Sequence, residues 1–188
     1  LVVVLTLQNC DPDTGLLEKL MHKEEAGFYR CPLDGSPLKL KEERTEGAEV
    51  LEGALVSQSS GARYPIRKGM VNFLTPEQQS EAERSVHELY AERAGVYDDY
   101  LHLTFHTFNE DESAVREEMV DLLGLNESSR ALEIGAGTGR DTVHIAERLG
   151  DSGRLYCQDL CEPMLQRCRE KLEGSHVPVE SSVGNACY

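Results

Sequence analysis

The residues best suited to chemistry form a glycine-rich turn with a carboxylate on each side of it along the chain. Gly135, Gly137 and Gly139 follow a short apolar segment that contains Glu133. Glycines allow a sharp turn and let a ligand approach the backbone with no Cβ in the way. A helix is predicted to begin just after the turn, and its free N–H groups favour a polar or negative ligand group. The pattern therefore indicates a nucleotide-like ligand.

The second carboxylate, Asp159, ends the next predicted strand. A carboxylate at this distance from the first glycine can accept hydrogen bonds from both ribose hydroxyls of a bound nucleoside. Sheets that bind dinucleotides and sheets that bind S-adenosyl-L-methionine (SAM) share this spacing, so Asp159 alone does not separate them.

Two other residues favour SAM over a dinucleotide. The dinucleotide pattern requires glycine at the position of Arg140. Glu133 lies two residues before the first glycine, where a pyrophosphate gains nothing from an anion. SAM carries a sulfonium and an ammonium group, and a nearby carboxylate attracts that cationic end. The simpler alternative is that Glu133 is an ordinary strand-end carboxylate and the glycines only make a tight turn.

The elements around the turn alternate between strand and helix. Residues 130–134 are predicted to form a strand, 141–149 a helix that stops at Gly150, and 154–158 a second strand. Pro163 fits the first turn of the next helix, and residues 177–183 fit a third strand. Such alternation is typical of a parallel α/β sheet.

These residues resemble a known family. Residues 131–142 closely resemble motif I of the class I SAM-dependent methyltransferases. Residues 159–165 are similar to the family's next motif, with Cys161 where serine is common, and 184–186 resemble the motif after the third strand. The closest subgroup comprises the quinone-biosynthesis-like and general small-molecule methyltransferases. The resemblance covers residues 130–188 and extends more weakly back to about Tyr97.

The resemblance implies a fold, a cofactor and a set of binding residues. The fold is a Rossmann-like α/β sheet, here with its first three strands, and the cofactor is SAM. Glu133 and the turn would hold the methionine part, and Asp159 the ribose; Met164 could equally be a core residue of its helix. The residues implied for the methionine part of SAM are Glu133, Gly135, Ala136, Gly137, Thr138 and Gly139. Asp159 is implied for the ribose. Leu160 and Met164 are implied beside the adenine, with Asn185 and Ala186 at its edge.

An upstream region resembles a Trm112-like zinc ribbon whose ligands have changed. Residues 31–38 and 57–66 are similar to its two halves, and 69–74 to its end. Cys31 keeps one of the four expected cysteine positions, whereas Asp34, Ser57 and Ser60 occupy the other three. Structural zinc needs four good ligands, so we predict no bound metal. The role of this region is left open between substrate contact, interdomain packing and partner docking.

We therefore divide the chain into four parts. Residues 1–27 are an N-terminal segment, 28–74 the degenerate ribbon, 75–129 a helical cap or linker, and 130–188 an incomplete SAM-binding domain. The ribbon is predicted to contain short strands, one of them at residues 28–30. The chain begins without methionine and ends within a motif, so we expect an inactive fragment whose first methyltransferase strand is a bare apolar edge.

Composition limits the classes of partner and the setting. The net charge of −15 disfavours unaided binding to nucleic acid. No apolar run approaches the roughly 20 residues of a membrane span, and the apolar start lacks the basic flank of a signal peptide. The six cysteines show no disulfide spacing and are expected to be buried free thiols. We expect a cytoplasmic protein, and the oligomeric state is left open.

The leading hypothesis is a methyltransferase that acts on a small molecule. Methyl transfer from a sulfonium depends mainly on positioning the nucleophile. Tyr97, His102 and His106 in the cap could face a substrate, although exposed histidines on a polar helix are the simpler interpretation. No catalytic residue is assigned. The alternatives are a methyltransferase for ribosomal RNA, transfer RNA or protein, a dinucleotide-dependent oxidoreductase, and a non-catalytic SAM-binding scaffold.

Overall fold

The computed structural model describes residues 3–7, 20–74 and 79–186. The strands are β1 Val3–Leu7, β2 Met21–His22, β3 Leu38–Glu46, β4 Glu49–Ser57, β5 Arg63–Arg67, β6 Met70–Asn72, β7 Arg130–Ile134, β8 Arg154–Asp159 and β9 Val179–Val183. The α-helices are α1 Glu81–Arg93, α2 Tyr97–Thr107, α3 Glu112–Asp121, α4 Thr142–Arg148 and α5 Glu162–Lys171, and a 3₁₀ helix spans Lys23–Phe28.

Within the described residues, the strands form one mixed sheet. Its order is β1-β7-β8-β9-β6-β5-β4-β2, and β3 pairs with the other edge of β4. The four central strands β7, β8, β9 and β6 are parallel, whereas the remaining pairs are antiparallel. The expected α/β class is confirmed.

The parallel strands and helices follow the predicted alternation closely. The strand at 130–134 has the expected bounds, and α4 and α5 connect β7, β8 and β9 in turn. Both helices pack on one face of the sheet, because most of the alternate strand residues that point to that face are apolar. The buried core there includes Ala131, Leu155, Cys157, Val179 and Val183 from the strands and Ile145, Leu165, Cys168 and Leu172 from the helical segments.

The helices before β7 form a separate group along the chain. The predicted helix start at Pro76 lies outside the described residues, and α1 begins at Glu81. The α3 helix is capped by Asp111, whose carboxylate accepts a hydrogen bond from the Ala114 N–H at 3.1 Å. Among the described residues, no helix combines the length and apolarity needed to cross a bilayer.

The antiparallel strands are joined to the parallel ones by β6. Residues 70–72 pair in parallel with Ser181, Ser182 and Val183 of β9, and the Phe73 N–H donates to the Val183 carbonyl at 2.8 Å. A second core of buried side chains, with Met21, Leu55, Tyr64, Ile66 and Val71 among its members, lies under the antiparallel strands. The ribbon-like region and the parallel strands therefore share one continuous hydrogen-bonded sheet.

Two expectations about strands were wrong. The edge of β7 is not bare, because β1 pairs with it antiparallel from Val3–Ile134 to Leu7–Arg130. The apolar start of the chain thus satisfies the N–H and C=O groups of that edge. Residues 28–30 do not form a strand, because Phe28 ends the 3₁₀ helix and packs against the sheet, with its ring centroid 6.2 Å from that of Tyr156.

The 3₁₀ helix is held to the sheet by a buried charge cluster. The Glu25 carboxylate, which is 5% exposed, accepts hydrogen bonds from the Tyr156 hydroxyl at 2.5 Å and from Arg130 at 2.8 Å. Arg154 donates to the other carboxylate oxygen at 3.2 Å. The Arg130 guanidinium also lies 4.2 Å from the centroid of the Phe28 ring. One buried carboxylate therefore pairs with two arginines beneath the helix.

The described cysteines are buried free thiols, as the sequence predicted. They are Cys31, Cys157, Cys161 and Cys168. Cys157 and Cys168 belong to the core between the sheet and its helices, where they act as small apolar residues. Cys10 and Cys187 lie outside the described residues.

A hydrogen-bonded cluster occupies the four positions that correspond to ribbon ligands. The Ser57 hydroxyl donates to Asp34 at 3.2 Å and accepts hydrogen bonds from the Ser59 and Ser60 N–H groups. Ser36 and Ser57 share a further bond of 2.8 Å, and hydrogen bonds from Ser36 lower the pKa of Asp34. Cys31 lies 4.0 Å from the Ser60 hydroxyl. Hydrogen bonds centred on Ser57 thus connect the two turns.

The charge cluster predicts a large effect of removing its carboxylate. Glu25→Ala should lower the free energy of unfolding by about 3–5 kcal/mol, because two arginines would remain buried without their anion. Urea denaturation followed by circular dichroism measures this. The adjacent Glu24→Ala, at an exposed position, is the matched control and should change stability by less than about 0.5 kcal/mol. Equal effects of the two substitutions would contradict the assignment.

Removal of the Ser57 hydroxyl should reduce the stability of the protein less than removal of the Glu25 carboxylate. Ser57→Ala should destabilise the protein by about 1–3 kcal/mol, because buried partners lose a hydrogen bond. Ser59→Ala, which removes an exposed neighbouring hydroxyl, should leave the denaturation midpoint nearly unchanged. If Ser57→Ala were as mild as its control, the cluster would not connect the turns.

Candidate functional site

The glycine-rich turn lies at the carboxyl ends of β7 and β8. The Gly135 and Ala136 N–H groups both donate to the Gln158 carbonyl, at 2.8 and 3.1 Å. Gly139 has a φ of +83°, and an added Cβ would lie 2.8 Å from the Cys168 sulfur. Gly137 has a φ of +55° with nothing nearer to an added Cβ than 3.9 Å, so space remains beside the turn. The structure thus packs one side of the turn and leaves the other accessible.

Asp159 faces this turn from the end of β8. One carboxylate oxygen accepts the Gly137 N–H at 2.8 Å, and the other accepts the Cys161 N–H at 2.8 Å. An ionised carboxylate offers about four acceptor positions, so each oxygen keeps capacity for another donor. The carboxylate is therefore fixed in place with acceptor positions free for ribose hydroxyls.

Glu133 is buried beneath the turn with no exposed surface. Neither carboxylate oxygen has a hydrogen-bond partner among the described residues. Burial raises the pKa of Glu133 to about 8, and the nearby Thr142 hydroxyl offsets only part of this effect. An unpartnered buried carboxylate is costly for the folded protein, because its ionised form lacks solvation. A cationic group bound at the turn would supply the missing partner.

The remaining predicted residues gather around the same strand ends. Met164 is 3% exposed and packs with Ala94 and Cys161, which is the core position that the sequence left open. Leu160 and Asn185 are half-buried, and Ala186 is exposed. The Gly184 N–H donates to the Asp159 backbone carbonyl at 2.9 Å, so the end of β9 lies beside the end of β8. All the predicted binding positions thus lie at or next to the carboxyl edge of the sheet.

The sequence did not reveal how the helix before the sheet contacts the turn. The Asp98 carboxylate at the start of α2 accepts a hydrogen bond from the Thr138 hydroxyl at 2.6 Å. Arg140 and Lys171 also pair with Asp98, at 3.1 and 2.5 Å. These hydrogen-bonded partners lower the pKa of Asp98 despite its partial burial. The first turn of α2 is therefore anchored directly to the glycine-rich turn.

Further ion pairs join α3 to the same region. Glu112 pairs with Arg140 and also accepts the Arg116 Nε–H at 2.7 Å. Arg116 in turn contacts Asp141 at 2.5 Å, just before α4. Arg140, the residue that departs from the dinucleotide pattern, thus connects the turn to α2 and α3. No sequence motif marks these contacts, although the run of charged residues at 140–141 is visible in the sequence.

The cap residues suggested by the sequence have different surroundings. Tyr97 packs against Cys161 and Met164, and burial raises the pKa of its phenol. His106 is exposed. His102 lies in α2, and its side chain is outside the described part of the structure. Of the three, Tyr97 is the one that the structure places next to predicted SAM-binding residues.

The arrangement fits a cationic nucleoside better than a dinucleotide. Two carboxylates, Glu133 and Asp159, surround the turn, and a pyrophosphate would meet both. A sulfonium or ammonium group would find in Glu133 the partner that the protein does not provide. The residues present therefore fit SAM. Among the described residues, no cluster of histidine, cysteine and carboxylate side chains has the grouping of a metal site.

Comparison with known sequences agrees with this geometry. A family model described as a methyltransferase domain matches residues 131–188. Two relatives, the demethylmenaquinone methyltransferases of Bacillus mycoides and Bacillus cereus, are each 31% identical over 110 residues, which is 58% of this chain and 45% of the relative. That of Bacillus velezensis is 26% identical over 109 residues, or 57% and 46%. The chain thus spans less than half the length of these relatives.

A solved structure was also found. It is a complex between the Haloferax volcanii Trm112 methyltransferase activator and a methyltransferase; the match has 34% identity and covers 31% of this chain and 100% of that chain. Its TM-score is 0.30, which is too low to support a structural argument. The comparison therefore depends on the sequence matches. Residues 131–188 match a methyltransferase domain, in agreement with the resemblance to class I SAM-dependent methyltransferases found in the sequence.

Proposed function

We propose that the protein containing this chain transfers a methyl group from SAM to a small molecule. The observation that carries the proposal is the buried, unpartnered Glu133 carboxylate under a glycine-rich turn whose neighbour, Asp159, is held in place by two backbone N–H groups. A cationic nucleoside is the ligand that uses both carboxylates. The methyltransferase family match over residues 131–188 supports the same cofactor.

The choice of a small-molecule acceptor has weaker but consistent support. The relatives are named for demethylmenaquinone, which is a small molecule. The net charge of −15 repels the phosphates of nucleic acids, so RNA is the lesser candidate. The cytoplasmic setting expected from the sequence belongs to this proposal as well.

The chain's own residues would bind and orient the cofactor. Glu133 and the 135–139 turn would hold its cationic methionine end, and Asp159 its ribose hydroxyls. Leu160 would lie beside the adenine, with Asn185 and Ala186 at its edge, whereas Met164 packs in the core behind it. When bound, SAM supplies an activated methyl group on its sulfonium. The anchored start of α2 would limit the access of water to this end of the site, because Asp98 holds it against Thr138.

The first test measures binding of S-adenosylhomocysteine by calorimetry to the full-length protein that contains these residues. Asp159→Ala should weaken binding by about 2 kcal/mol, since it removes hydrogen bonds to a charged group. Asp151→Ala, at an exposed turn, is the matched control and should bind like the unchanged protein.

Three outcomes would argue against the proposal. Failure of the folded protein to bind S-adenosylhomocysteine would favour a scaffold role. Binding of NADH in its place would favour an oxidoreductase. Binding that responds equally to Asp151→Ala and Asp159→Ala would move the site away from the strand ends.

Ionisation of the buried Glu133 carboxylate should lower the free energy of unfolding while it favours the binding of SAM. Its pKa of about 8 in the folded protein exceeds the ordinary value of 4.5, so the folded state keeps a proton that the unfolded state releases. Stability from this group is present at low pH and should fall as the pH rises from about 4.5 to 8. Glu133→Gln should remove that decline and increase the free energy of unfolding near pH 8, measured by urea denaturation.

The same substitution should weaken SAM binding, because glutamine cannot neutralise a cation. Affinity for SAM in the unchanged protein should rise between about pH 6 and 8 as Glu133 ionises, and binding should release a proton. The exposed Glu173→Gln is the control for both measurements. A Glu133→Gln variant that loses stability near pH 8 and binds SAM normally would show that the carboxylate is structural.

A further inference from the structure

A cavity of about 600 Å³ lies where the ribbon-like region meets the sheet. Its aromatic wall includes Phe28, Tyr29, Phe73 and Tyr156. The volume is within the usual range for sites of small organic ligands. The cavity lies on the sheet face opposite α4 and α5. Successive strand residues point to opposite faces, so the cavity residues Tyr156 and Ser182 face away from their core neighbours Leu155 and Val183.

The floor of the cavity carries two polar side chains. Ser182 is 8% exposed, and neither its hydroxyl nor the Gln158 side-chain amide bonds to another described residue. The two residues are neighbours on paired strands. The Ser182 position is rigid, since its strand also pairs with Val71 of β6. Because both side chains line the cavity, each can hydrogen-bond to a ligand that carries its own donor or acceptor.

The aromatic wall favours a flat ligand. The Tyr29 and Phe73 rings lie with centroids 5.4 Å apart, and Phe28 and Tyr156 form a second tilted pair. Such rings pack well against another ring at offset or edge geometry. Arg30, the charged lining residue, already donates to the Gly27 and Tyr29 carbonyls. The lining therefore suits an uncharged aromatic molecule that carries an oxygen substituent on its ring.

The cavity borders the proposed SAM site. Gln158 contributes its side chain to the cavity, while its backbone carbonyl holds the Gly135 and Ala136 N–H groups of the turn. Gly184 and Asn185 also line the cavity, and the Gly184 N–H is bonded to Asp159. A ligand in the cavity would thus touch residues that form the edge of the cofactor site.

We infer that this cavity binds the aromatic ring of the methyl acceptor, with the ribbon-like region supplying one wall. The role of acceptor rests on the proposed function, whereas ring binding itself does not. The ribbon-like region would then be part of the substrate site, in addition to extending the sheet. Ser182 and Gln158 would form hydrogen bonds with the oxygen substituent on the ring.

The test uses 2-naphthol, whose fluorescence reports its binding to the full-length protein. Binding should be detected, and Ser182→Val should weaken it about tenfold, because the hydroxyl is lost and the floor is filled. Gln158→Leu should have a similar effect and serves as the second variant if the first fails to fold. Tyr100→Ala is the control, because this exposed residue lines a separate groove of about 420 Å³ between α1 and α2.

The outcomes separate this inference from the proposed function. Naphthol binding that is weakened by both floor variants, and not by Tyr100→Ala, supports the cavity. Absence of naphthol binding, or weakening by Tyr100→Ala alone, overturns it even if S-adenosylhomocysteine binds normally. Naphthol binding without S-adenosylhomocysteine binding would support a ring site and reject the methyltransferase.

Discussion

The parallel pairing of β6 with β9 is the contact on which the rest of the architecture depends. Three residue pairs connect the antiparallel strands to the parallel ones, and the Phe73 N–H adds a further bond to Val183. This pairing covers the edge of β9 and brings the ribbon-like region over one face of β8 and β9. The 3₁₀ helix then lies close enough for Glu25 to form ion pairs with Arg130 and Arg154. Without the strand contact, neither the charge cluster nor the adjacent cavity would form.

Glu133 differs from two other carboxylates of the protein in how its charge is balanced. Glu25 and Asp98 are carboxylates whose partners come from the protein itself. Glu133 is buried at least as deeply and has no partner among the described residues. A sequence selected for stability alone would place an apolar residue or a hydrogen-bonded group there. The unfavourable burial of the Glu133 carboxylate is therefore best explained by a cationic ligand that pairs with it on binding.

Much of the parallel sheet could be predicted because its signals are local. Strand β7, the turn and Asp159 depend on short patterns of apolar residues, glycines and strand ends. The converging strand ends then place Glu133, Asp159 and Asn185 near one another without further information. The strand predicted at 28–30 was wrong because Phe28 ends the 3₁₀ helix and packs against Tyr156, which is distant in sequence.

Contacts across long sequence distances explain the other failures. The pairing of β1 with β7 and that of β6 with β9 join segments more than 100 positions apart, and no local pattern specifies such a partner. The anchoring of α2 by Asp98 likewise depends on Thr138, Arg140 and Lys171 meeting around one carboxylate. Each of these residues alone looks like part of an ordinary charged surface. Since three donors converge on Asp98, the start of α2 is held directly against the glycine-rich turn, which no single one of these residues indicates in the sequence.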